Sequence, residues 1–158
     1  MSKINVSIMI FFNKVCEGSV DLWMQKRWEK GPLFEKWEFP GGKIEMLETP
    51  TQAVLREVEE EVGLQIQEAE VREFYQRLYE SPAKDGSLRK ILLHVFFAPV
   101  KNQYLTTLAE KGQFMTLNFD QKSQVLAGDI PPINHEIIDY FLSLVQKHKE
   151  EFEDLLIQ

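Results

Sequence analysis

The sequence predicts an α+β fold in which helices pack on the faces of a mixed β-sheet. Three observations predict it: strand-like segments before residue 43, an amphipathic helix over 50–62 with signals at both ends, and a very apolar strand over 88–100 with a second long helix after it. Strands and helices interleaved in this way bury their apolar faces against one another in layers. The 158 residues suit a single domain, 1–158, able to bury about 70% of its unfolded surface.

Taken in order, Lys3 to Phe12 is rich in Ile, Val and Phe and reads as a strand with at least one buried face. Glu17-Gly18-Ser19 is a turn, and Asp21 to Arg27 is a second strand, so the two form a hairpin. Trp28 to Lys36 reads as a surface loop whose Trp28, Leu33 and Phe34 either fill the core edge or close over a ligand. Trp37 to Gly42 is a short strand that enters the next segment through two glycines, which permit close backbone approach. Thr49 as N-cap, Pro50 at the first helical position and Gln52 completing a capping box start the helix, and Gly63 ends it. Ala53, Val54, Val58 and Val62 supply its apolar stripe.

Val71 to Tyr79 and Leu88 to Val100 are strands joined across SPAKDGS, the second too apolar for an exposed edge. Lys101 to Gln113 is polar and reads as irregular, and Phe114 to Leu117 is a short strand. Asp129 to Asn134 is a proline-stiffened lead into a final helix spanning His135 to Leu156.

The chemistry concentrates on the first helix, where Glu57, Glu60 and Glu61 stand at i, i+3 and i+4 and project to one side. Like charges at that spacing repel, so the face is either a solvated acidic surface or one relieved by a bound divalent cation. Net charge of −7, from 25 acidic and 18 basic residues, argues against a general nucleic-acid binder. Polyphosphates remain accessible to such a protein through metal ions. The N-terminal run lacks a cleavage signal and no apolar stretch approaches the ~20 residues of a membrane span, so a cytoplasmic protein is expected. The lone Cys16 excludes an internal disulfide and reads as an incidental loop thiol.

From Gly42 the chain reads Gly, five residues, Glu48, seven residues, Arg56-Glu57-Val58, any, Glu60-Glu61, any, Gly63-Leu64. This resembles the Nudix box at every defined position, and within that family the likeness is to the MutT type, which sanitises oxidised nucleotides. It extends to Pro131-Pro132-Ile133-Asn134, where MutT proteins carry Pro-Pro-x-Asn before their last helix. The resemblance implies a Nudix αβα sandwich and hydrolysis of a nucleoside diphosphate linked to another group, dependent on Mg2+, with Mn2+ as a substitute. It implies Glu57, Glu60, Glu61 and the Gly41 carbonyl as metal ligands, Glu57 as the base toward water, and Glu48 and Arg56 as support. It further implies Arg27 on a phosphate and Asn134 on the purine edge, with Phe39, Ile91 and Leu93 lining a base pocket. The plainer alternatives are a solvated Arg27, a helix N-cap for Asn134, a helix ion pair for Glu48 and Arg56, and core packing for the apolar three.

Three positions depart from the family pattern. Leu47 replaces a common glycine before the box glutamate, Phe114 stands where Trp is usual, and only Glu110, at a shorter spacing, is available for a further loop glutamate. The expected reaction is conversion of 8-oxo-dGTP to 8-oxo-dGMP and pyrophosphate. Its alternatives are a Nudix hydrolase of CTP, dinucleoside polyphosphates or 5′-triphosphorylated RNA, and a non-catalytic nucleotide-binding module. The expected partner is a small-molecule nucleotide, without membrane or stable nucleic-acid partners, and the protein is expected to be a monomer or homodimer.

Overall fold

The computed structural model describes residues 3–27, 36–120 and 130–157. In chain order its elements are β1 (Lys3–Asn13), β2 (Ser19–Lys26), β3 (Trp37–Glu38), β4 (Gly41–Lys43), α1 (Pro50–Val62), β5 (Arg72–Pro82), β6 (Leu88–Pro99), α2 (Leu105–Lys111), β7 (Gln113–Asn118), α3 (Pro132–Lys147) and α4 (Lys149–Leu155). This is the α+β class the sequence predicts, with a mixed sheet. The expectation for Trp28, Leu33 and Phe34 lies outside the described residues, as does Asp129.

The residues group into two compact units, Met1–Ile10 with Pro40–Ala98, and Phe11–Phe39 with Pro99–Gln158. In the first, β4 pairs antiparallel with β1, Ser7 opposite Gly42 and Ile8 opposite Gly41. Gly41 is required by proximity, since a Cβ there would stand 2.7 Å from the Ile8 Cα. The capping box forms as predicted: the Thr49 hydroxyl accepts the Gln52 N–H at 3.1 Å and the Gln52 side chain accepts the Thr49 N–H at 2.9 Å. At the other end Gly63 takes the left-handed conformation, φ 82°, and donates to the carbonyls of Val58 and Glu59. Ala53, Val54, Val58 and Val62 are buried, and the buried Ser7 hydroxyl donates to the Pro50 carbonyl at 2.8 Å, tying the start of α1 to β1.

In the same unit β6 is hydrogen-bonded to β1 on one side and β5 on the other, the central position its apolar sequence predicts. The β5–β6 connection closes through the Ala83 N–H to Ser87 carbonyl bond at 2.7 Å. Gly86, at φ 86°, makes that turn possible.

In the second unit the last residues of β1 pair with β2, Phe12 opposite Leu22, and β2 pairs with β3 and with β7. Phe12, Phe141 and Phe152 form an aromatic cluster with ring centroids 5.3–6.1 Å apart. Two expectations are corrected here. The stretch 101–113 is not irregular: it holds a 3-10 turn over Asn102–Tyr104 and then α2. Tyr104 and Leu108 bury one side of it, and the Leu108 carbonyl accepts the Trp23 indole N–H at 2.7 Å. A helix this short owes its existence to that packing, not to propensity.

The final helix also begins earlier than expected, at Pro132, and is broken at His148, φ −123° and ψ 40°, into α3 and α4. The break aims Phe152 at Phe12 and Phe141. An unbroken 3.6-residue period carries no sign of it.

Candidate active site

Six residues of the first unit build the site around one guanidinium. Arg56 donates from Nε to Glu48 Oε2 at 2.7 Å and from Nη2 to Glu48 Oε1 at 3.0 Å, a two-pronged grip, and Nη2 also donates to the Lys43 carbonyl at 3.0 Å. Its remaining nitrogen, Nη1, donates to Glu57 Oε1 at 3.0 Å and Glu60 Oε2 at 3.2 Å and lies 3.7 Å from Glu45 Oε1. Such forked, charge-assisted bonds fix orientation as well as adding energy. The hydrogen bonds from Arg56, then that from the Glu45 N–H, hold the Glu48 carboxyl below the usual carboxylate range. The same carboxylate and Glu57 raise the Arg56 pKa, against the opposing effect of desolvation.

The loop ahead of α1 aims Glu48 at this position. Glu48 N–H donates to the Glu45 carbonyl at 3.1 Å and Glu45 N–H donates to Glu48 Oε1 at 2.8 Å, closing a four-residue turn. Its third residue, Leu47, is in the left-handed region at φ 70° and is 97% exposed. Turns with positive φ at that position favour glycine. Leu47 therefore adopts the backbone shape that the common family glycine would take without strain.

Gly42 gives Glu57 its room. A Cβ at Gly42 would collide with the Glu57 carboxylate, 2.6 Å from its Cδ, so only glycine lets that side chain lie against β4. Glu61 instead accepts the Gly41 N–H through Oε2 at 2.8 Å. The three carboxylates at i, i+3 and i+4 are thus divided: Arg56 draws in Glu57 and Glu60, and Gly41 takes Glu61. Among the described residues no three His, Cys, Asp or Glu side chains converge as a ready metal cage. The donor chemistry nevertheless fits a hard divalent cation, since Glu57, Glu60 and Glu61 stand within five residues of α1 and Gly42 leaves a cradle that Glu57 fills.

Ile91 and Leu93 are buried on β6. Sequence reasoning missed their neighbour Arg89, which shares their strand face by its two-residue spacing and whose Nε is buried without a partner among the described residues. The available signal was an arginine continuing the face of an apolar strand. Also missed were the Lys43 carbonyl, which no side-chain pattern encodes, and Glu45.

Arg27, Phe39 and Asn134 belong to the second unit. Arg27 Nη1 donates to Glu38 at 3.3 Å, and Phe39 is buried. Asn134 does not cap its helix: Pro131 is the N-cap and Asn134 is the third helical residue. It is only 6% exposed. Glu110 is exposed in the last turn of α2.

The family description "NUDIX domain" matches residues 1–141. A curated relative from Escherichia coli (strain K12), 8-oxo-dGTP diphosphatase, is 31% identical over 138 residues, which cover 87% of this chain and 95% of the relative. A second 8-oxo-dGTP diphosphatase, from Haemophilus influenzae, is 32% identical over 123 residues, 77% of this chain and 82% of the relative. Among solved structures, a mutT/nudix family protein from Listeria innocua superimposes with a TM-score of 0.59 at 17% identity, covering 93% of this chain and 95% of that one.

Proposed function

The chain belongs to the NUDIX domain family and is a hydrolase of phosphoanhydride bonds, and from that premise we propose that its substrate is an oxidised purine nucleoside triphosphate such as 8-oxo-dGTP. Water attacks a phosphorus, the P–O bond to the departing pyrophosphate breaks, and 8-oxo-dGMP remains. The observation that carries this reading is the likeness to the Escherichia coli 8-oxo-dGTP diphosphatase across 95% of that protein. The largely buried Asn134 supports it, because its amide offers both donor and acceptor to a purine edge.

The roles divide by chemistry. Glu57, Glu60, Glu61 and the Gly41 carbonyl are the oxygen donors suited to Mg2+ or Mn2+. When bound, the ion neutralises phosphate charge and lowers the pKa of water. Glu57 orients that water or accepts its proton, and its carboxylate is fixed for the task by Gly42 on one side and Arg56 on the other. Glu48 holds Arg56 and acts through it. Arg27 engages a phosphate, and Phe39, Ile91 and Leu93 supply apolar surface for the base. Hydrolysis in the cytoplasm would remove the oxidised nucleotide before a polymerase uses it, a sanitising step upstream of DNA repair.

The test is pyrophosphate release from 8-oxo-dGTP and from dGTP with Mg2+, measured side by side. Strong preference for the oxidised nucleotide is expected. Equal turnover of the two would reject the specificity, and absence of turnover on both would reject this substrate class.

A further inference from the structure

We infer that Arg56 Nη1 is an internal stand-in for the metal, holding Glu57 and Glu60 together in the metal-free protein and giving them up when a divalent cation binds. The inference rests on the reading of Glu57 and Glu60 as metal ligands and adds to it a specific competitor.

Arg56 has two functional halves. One, Nε with Nη2, is committed to Glu48 and the Lys43 carbonyl, neither of which belongs to the proposed ligand set. The other, Nη1, bridges one oxygen of Glu57 and one of Glu60 at 3.0 and 3.2 Å, and so engages oxygens of two of the proposed ligands. A guanidinium is planar and rigid, so the grip on Glu48 fixes where Nη1 lies. The repulsion of two carboxylates at i and i+3 is what the guanidinium offsets, and a divalent cation would offset it in its place. The charge is permanent at any working pH, so deprotonation cannot release the carboxylates, whereas a competing cation can.

The exchange is also sterically open. The Glu60 side chain is 59% exposed and can swing, whereas Glu57 is 17% exposed and confined beside Gly42. Arg56 is thus a positioning residue whose effects on metal binding and on turnover have opposite signs. It weakens metal binding by competing for Glu57 and Glu60, while orienting Glu57 for turnover.

The experiment is Mn2+ titration calorimetry on wild type, Arg56→Gln and Arg56→Lys, with thermal unfolding in chelator to verify that each variant is folded. Both variants are expected to bind Mn2+ about two- to five-fold more tightly than wild type, the scale of a partly exposed ion pair, while kcat falls because Glu57 loses the guanidinium that orients it. Arg56→Lys retains the charge but cannot span both halves, so tighter binding there identifies the bridge and not overall charge as the competitor. If wild type binds Mn2+ and the folded variants bind it equally or more weakly, the stand-in role is wrong and Arg56 only supports the ligands. If wild type itself shows no saturable Mn2+ binding, the metal reading of Glu57 and Glu60 fails first.

Discussion

The Arg56 cluster and the start of α3 place polar groups differently. In the cluster Glu48, Glu57 and Glu60 each bond to one guanidinium, so the side chains are oriented before any ligand arrives. At the start of α3, Asn134 is 6% exposed and is not among the groups that this guanidinium holds. On the proposed function, the first region carries the reaction and the second the choice of base.

Glu57→Gln tests the first side of that contrast and has the largest expected effect. Loss of a general base lowers kcat for 8-oxo-dGTP by about 10²- to 10⁴-fold with little change in melting temperature, measured by pyrophosphate release and thermal unfolding. Asn134→Ala tests the second. It should reduce the preference for 8-oxo-dGTP over dGTP by about ten- to a hundred-fold, read as a ratio of kcat/KM values, because the hydrogen bonds of one buried amide are removed. A protein stabilised by the change and unaltered in preference would make Asn134 a merely tolerated core residue. The smallest effect belongs to Leu47→Gly. Relief of the left-handed conformation, partly offset by greater freedom of the unfolded chain, should stabilise by about 0.5–1 kcal/mol and raise the melting temperature by about 1–4 °C.

How much of this was legible in the sequence follows from how local each determinant is. The limits of α1 were legible because Thr49, Pro50, Gln52 and Gly63 act within a few residues of one another. The central place of β6 was legible because a strand buried on both faces needs an apolar run. Long-range causes hid the rest. Helix α2 depends on Leu108 meeting Trp23, 85 residues away in sequence, and the break at His148 depends on where Phe152 must pack.

Within the site, helical spacing brought Glu57, Glu60 and Glu61 to one side but could not reveal how they divide. Arg56 takes two and a backbone N–H takes the third, and that N–H arrives from β4. Leu47 likewise stood out as a departure from the family glycine. Its left-handed backbone shows the turn shape kept with the wrong side chain for comfort.

The most direct measurement of the central claim, that Gly42 places Glu57 for catalysis, is a double-mutant cycle with Gly42→Ala and Glu57→Gln. Because the added Cβ collides with the Glu57 carboxylate, Gly42→Ala alone should lower kcat for 8-oxo-dGTP by about 10²-fold, and by almost nothing once Glu57 is already Gln. Losses that simply multiply would contradict the account, since Gly42 would then be acting through something other than Glu57.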